Sequence, residues 1–144
     1  METALFSVWN RISPRVVEFG PDRITADERV FASIWMLKGE VDNGGFAQYM
    51  FNSLGEDAAV AREALAAVGA SGALVVLEEF LALLPGGQAA ATQDERQQQL
   101  DELSARHGSD KFNELLDVVD RSFYATEDEL RDRLFEFVTS KGML

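Results

Sequence analysis

Carboxylates are the chemically capable groups that this chain has in quantity. Its 144 residues hold 25 Asp and Glu against 13 Lys and Arg, with one His and no Cys, giving a formal net charge of −12 and a pI near 4.4. Several acids recur at helical spacing. Asp128, Asp132 and Glu136 form an i, i+4, i+8 row, and Asp110, Glu114 and Asp117 form a second row at i, i+4, i+7, with Asp120 nearby. Asp94, Asp101 and Glu102 add to a polar stretch upstream. Rows of this kind suit cations, basic proteins, or a partner that normally binds an anion. They also suit a solvated face that aids solubility. Arg121, Arg131 and Arg133 interleave with the rows and can neutralise them as i, i+4 pairs, Asp117–Arg121 and Asp128 or Glu129 with Arg133 being the obvious candidates.

Other chemistry finds little support. The lone His107 stands just before Gly108 at an expected helix end, where an imidazolium has an ordinary structural use. There is no HExxH, no Glu-x-x-His pair, no phosphate-binding glycine pattern and no EF-hand spacing. Without cysteine there are no disulfides, thiolate nucleophiles, thiolate zinc sites or cysteine-held clusters. Paired carboxylates are too abundant to be informative. The expectation is therefore a binding protein and not an enzyme, with no cofactor and no metal. Direct binding of nucleic acid or anionic membrane is not expected either, since both need basic surface. No apolar run reaches the roughly 18 residues that span a bilayer. The N-terminus shows no signal-peptide pattern, which gives an expectation of a cytoplasmic protein.

The elements that must position these groups read as helices nearly throughout, with no strand run. The length and the 47% apolar content fit one all-α domain, residues 1–144, of about eight helices. Leu5, Val8, Trp9 and Ile12 define a first helix, which Pro14 is expected to interrupt. Thr25-Ala-Asp-Glu28, Thr92-Gln-Asp-Glu95 and Thr126-Glu-Asp-Glu129 read as capping boxes, and Ser109 or Asp110 as a further cap. Residues 73–84 are apolar almost all round, as in a central helix. Gln88 to Ala91 read as a mobile loop. The polar helix after them needs only Leu100 and Leu103 as anchors and belongs on the surface. Phe112, Leu115, Leu116, Val119 and Phe123 make a clear apolar stripe, and Gly142 is an expected stop.

The most distinctive segment runs from Glu40 to Gly55. Asn43 can cap a following helix, while Gly44 and Gly45 allow positive φ and close backbone approach. Phe46, Tyr49 and Met50 then face inward. Gln48 and Asn52 lie four apart, able to bind each other or neighbouring backbone. The pattern Asn43-Gly44-Gly45-Phe46-x-Gln48-Tyr49-x-x-Asn52-Ser53-x-Gly55 resembles the signature of a bacterial all-helical family, catalogued as a domain of unknown function, that includes a DMP-type DNA-mimic protein. The likeness runs from about Thr25 to Pro85 and is weaker in the C-terminal third. The signature residues themselves read as structural.

The resemblance implies a compact all-α, DNA-mimic-like domain. It also implies an acidic homodimer whose surface carboxylates imitate phosphates and occupy the DNA-binding site of a transcription regulator or other basic DNA-binding protein. Helix positions four apart are separated by about 6 Å along the axis, and successive phosphates of one strand advance by roughly 3.4 Å while also winding round it. Rows of carboxylates can therefore approximate a phosphate track. Residues 1–72 carry 10 acids and 6 bases, and residues 73–144 carry 15 and 7, so the negative excess lies mainly in the second half. Asp94, Asp101, Glu102, Asp110, Glu114, Asp117, Asp120, Asp128, Asp132 and Glu136 are the candidate partner-binding surface. The apolar C-terminus (Phe135, Phe137, Val138, Met143, Leu144) offers surface for a dimer. Competing expectations are an immunity-type or antitoxin-like inhibitor of one basic partner, and a small enzyme or metal protein.

Overall fold

A computed structural model describes residues 1–52 and 58–144. Among them the chain forms seven α-helices and no strand: α1 (Glu2–Phe19), α2 (Ala26–Phe51), α3 (Ala58–Val68), α4 (Ser71–Leu83), α5 (Gln93–His107), α6 (Ser109–Tyr124) and α7 (Glu127–Ser140). Short 3-10 turns at Gly20–Arg23 and Pro85–Gly87 follow α1 and α4. Ser53 and Gly55 of the signature, with the rest of residues 53–57, lie outside the described residues.

Pro14 does not interrupt α1. A mid-helix proline removes one amide donor and costs about 3 kcal/mol. Helix α1 offsets this by burying Leu5, Val8 and Ile12 along one side. Its last turns are tied down by Arg15, which pairs with Glu28 and donates to the Arg23 carbonyl at 3.2 Å. The Asn43-Gly44-Gly45 break does form. Helix α2 runs straight through it in sequence, but Gly44 and Gly45 leave helical geometry, Gly45 at φ 75°.

The three expected capping boxes differ. Thr25 makes the full box, with both reciprocal bonds to Glu28 at 3.1 Å. Thr92 accepts from the Glu95 amide at 3.2 Å. Thr126 caps nothing. Its φ and ψ are −97° and −2°, close to helical, whereas a cap residue needs an extended backbone to reach forward. Its hydroxyl donates backwards to the Phe123 carbonyl at 2.7 Å. Neither Ser109 nor Asp110 caps α6, because Gly108 takes the cap position at φ 83°.

One core joins all seven helices. At its centre Phe46 stacks on Phe80 at 4.6 Å and meets Phe123 edge-on at 5.6 Å, so α2, α4 and α6 converge on one ring. Helix α4 packs on α3, α6 and α7 and buries Ala73, Val76, Leu77, Phe80 and Leu81. One edge of it stays wet, with Val75 exposed and Glu78 paired to Arg62 at 3.2 Å. Most of the C-terminal apolar surface expected to serve a dimer is spent internally. Val138 is fully buried, Phe135, Phe137 and Met143 pack against the core, and Leu144 alone of the five is exposed.

Candidate functional site

Helices α5 and α6 pack on each other and on α2, whereas α7 packs on α1, α3 and α4. The candidate acids therefore fall into two sets. Asp94, Asp101, Glu102, Asp110, Glu114 and Asp117 are exposed on α5 and α6, and Asp128, Asp132 and Glu136 are exposed on α7. Local bases and amides occupy part of each set. Asp117 pairs with Arg121 at 2.5 Å, Glu114 with Lys111 at 3.6 Å, Asp128 with Arg131 at 2.9 Å and Glu136 with Arg133 at 3.2 Å. Asp101 accepts from Gln97 at 2.9 Å. Arg133 thus pairs forward with Glu136, not back to Asp128 or Glu129. Asp94, Glu102 and Asp110 on α5–α6, and Asp132 on α7, make no hydrogen bond or ion pair with the described residues.

Asp120 does not share this exposed face. It is half-buried and accepts from the Phe46 amide at 2.9 Å. That amide is the first orphan donor after the glycine break, so the cap on this part of α2 comes from α6. Asn43, the expected cap, is exposed and does not supply it. Burial raises the Asp120 carboxyl above its ordinary range, the Phe46 bond opposes this, and Asp117 adds to it. Both glycines are needed here. A Cβ on Gly44 would overlap the Gln48 side chain, and one on Gly45 would overlap the Asp120 carboxylate.

Gln48 and Asn52 bind neither each other nor backbone. They converge on Glu40, donating to its Oε2 at 2.8 and 2.5 Å. Tyr124 of α6 donates to the Val41 carbonyl at 3.0 Å, beside the break. Burial raises its pKa first, with Asp120, Asp42, Glu127 and Asp117 adding to the rise. Phe46 and the Val41 carbonyl thus meet groups from α6, while Gln48 and Asn52 meet Glu40 from before the break.

The residue that sequence reasoning missed is Arg96. It is fully buried, and its guanidinium donates to the carbonyls of Met50 (2.8 Å), Asn52 (2.9 Å), Ala90 (3.3 Å) and Ala91 (3.2 Å). A cation at the C-terminal end of α2 is also favoured by the helix dipole. Gln99 completes the joint, accepting from the Ala90 amide at 2.9 Å and donating to the Pro85 and Gln88 carbonyls at 3.1 and 2.7 Å. The segment read as a mobile loop is therefore held at both ends by α5. The signal was present: Arg96, Leu100 and Leu103 share one i, i+4, i+7 stripe, so Arg96 had to face inward with the leucines.

Glu127 is a second misfit carboxylate, at the start of α7. Its Oε1 is buried without a hydrogen-bond partner, and Lys38 stands 3.9 Å away while holding Asp42 at 2.5 Å. Burial, then the neighbouring Asp42 and Asp128, push the Glu127 carboxyl up to about 7, against the pull of Lys38. His107 is exposed in the last turn of α5. Among the described residues no three metal-ligating side chains come together, and no helix is long and apolar enough to cross a membrane.

These features define an acidic all-α domain organised around an Asn-Gly-Gly helix junction. The chain belongs to the DMP19-like protein family, whose sequence model matches residues 22–141. That match takes in the C-terminal third, where the motif likeness is weaker, and so covers both sets of exposed acids. No curated protein and no solved structure matches the chain.

Proposed function

We propose that this chain is an acidic DNA-mimic-type binding protein of the cytoplasm. It occupies the DNA-binding surface of a transcription regulator or another basic nucleic-acid-binding protein, carries out no catalysis and binds no nucleic acid itself. The observation that carries this reading is the α5–α6 face, where Asp94, Glu102 and Asp110 stand exposed without a base or amide to neutralise them. The α7 row is the weaker half of the surface, because Arg131 and Arg133 already hold two of its three acids. Asp120 contributes through the fold and not through contact.

The mechanism is competition. Carboxylates meet the lysines and arginines that otherwise hold phosphates, and screening by salt weakens the complex. The test is capture of partners from native cell extract, eluted with salt and repeated with excess duplex DNA. The expected outcome is a basic DNA-binding protein that elutes at moderate salt and is displaced by DNA. Reversing Asp94, Glu102 and Asp110 to Lys abolishes that capture, whereas reversing Asp128, Asp132 and Glu136 weakens it less. Capture that survives the first triple variant overturns the choice of surface. Family resemblance extends the reading to a homodimer, which light scattering reads directly.

A second reading is favoured by the exposed apolar side chains Phe6, Val17 and Phe19 at the N-terminal end of the fold. An immunity-type inhibitor of one basic partner would use such contacts, and its complex would resist both high salt and DNA.

A further inference from the structure

Helices α1 and α2 enclose an open groove of about 520 Å³. Its walls are Trp9, Val16 and Val17 from α1 with Trp35 and Met36 from α2. Among the described residues Glu40 is the one charged member of its lining, which also includes Gly39. Val17 is 83% exposed, so the groove opens directly to solvent.

Two further details give this groove a chemistry. Gln48 and Asn52 both donate to Oε2 of Glu40, which fixes the carboxylate while Oε1 takes no hydrogen bond from the described residues. Glu40, its carboxylate held by two signature residues, thus lines an aromatic-walled slot. Gly39 sits in the interior of α2 with helical dihedrals, and a Cβ there would meet nothing within 4 Å. Glycine is disfavoured in helix interiors, and neither backbone geometry nor crowding requires it at this point. What its missing side chain does is keep the groove open.

We propose that the α1–α2 groove is a docking site for a lysine or arginine side chain of a partner protein, its aliphatic stem against Trp9 and Trp35 and its cationic head at Glu40. Aromatic faces attract cations, and a fixed carboxylate beside them selects positive charge over a plain apolar side chain. This site stands on the groove alone and does not depend on the α5–α6 face.

Trp9 and Trp35 are the only 2 tryptophans of the chain, so their indole N–H resonances report on this groove without labelling artefacts from elsewhere. The probe is the acetylated, amidated tripeptide Leu-Arg-Leu, with the citrulline tripeptide as its uncharged counterpart. A single charge keeps general attraction to the acidic surface small. The arginine peptide is expected to move both indole resonances saturably, and the citrulline peptide to bind at least about tenfold more weakly. Glu40→Gln produces the same loss for the arginine peptide. Gly39→Leu fills the groove and abolishes the shifts. The change improves helix propensity and its Cβ meets nothing within 4 Å, so an unchanged or higher melting temperature shows that the loss is not unfolding. Reversing Asp94, Glu102 and Asp110 leaves peptide binding intact, which separates this site from the proposed mimic surface. No resonance shift, equal affinity for the citrulline peptide, or undiminished binding by Gly39→Leu overturns the proposal.

Discussion

The glycine junction and the outer face of α5–α6 use the same residue types in opposite ways. At the junction the charged groups hold the backbone and side chains of the fold. Asp120 accepts the Phe46 amide, Glu40 accepts from Gln48 and Asn52, and Arg96 donates to carbonyls at the end of α2 and in the loop before α5. On the outer face Asp94, Glu102 and Asp110 are surrounded by water. A buried charge must be matched by hydrogen bonds or it destabilises the fold, whereas an exposed one is nearly neutral for stability. The contrast separates acids that build the protein from acids available to a partner. Charge and spacing alone do not make that separation, since Asp120 continues the α6 row in sequence yet belongs to the other group.

Replacing Arg96 tests this contrast most severely. Arg96→Ala strips the donors from four carbonyls and leaves a void beside the end of α2, and is expected to lower unfolding stability by about 3–5 kcal/mol in urea titrations. A loss below 1 kcal/mol would mean that water replaces the guanidinium there. Gly45→Ala comes next, at about 2–3 kcal/mol, because the residue sits at positive φ and its Cβ would displace the Asp120 cap.

Glu127 gives a smaller effect with a definite sign. Its folded pKa, about 7, lies above its ordinary 4.5. The group therefore contributes stability below pH 4.5 that is lost as pH rises through 7. Glu127→Gln should be more stable than the parent at pH 8, and the difference should shrink toward pH 5. Parallel pH profiles for the two proteins would show that Lys38 and water already solvate this carboxylate. Smallest of all is the stability change in the Asp94, Glu102 and Asp110 charge reversals, expected within about 0.5 kcal/mol each while partner capture is lost.

What was legible in the sequence was whatever short-range spacing determines. Apolar stripes located the helices, Thr25 with Glu28 announced its box, and Asn43-Gly44-Gly45 marked the break. Three misreadings share one cause. Local preference points one way at Pro14, Thr126 and Asn43, but packing of α1, the tight α6–α7 turn and Asp120 decide the outcome. The exposed acids were visible as helical rows, yet their division between α5–α6 and α7 was not, because it depends on which helices pack together. Arg96 shows the remaining gap. Its stripe position could be read, but its acceptors at Met50 and Asn52 are brought to it only by the fold.

The long reach of the Asp120 cap also sets an order of events. Thr25 and Glu28 close their box across 3 residues, so the first half of α2 can be nucleated as soon as it exists. The amide of Phe46 must wait for a carboxylate 74 positions later. Closing so long a loop is entropically slow, and it requires α6 to have been made and docked. During synthesis, then, the segment carrying most of the family signature is an early part of the chain that matures late, once α6 has been made and docked.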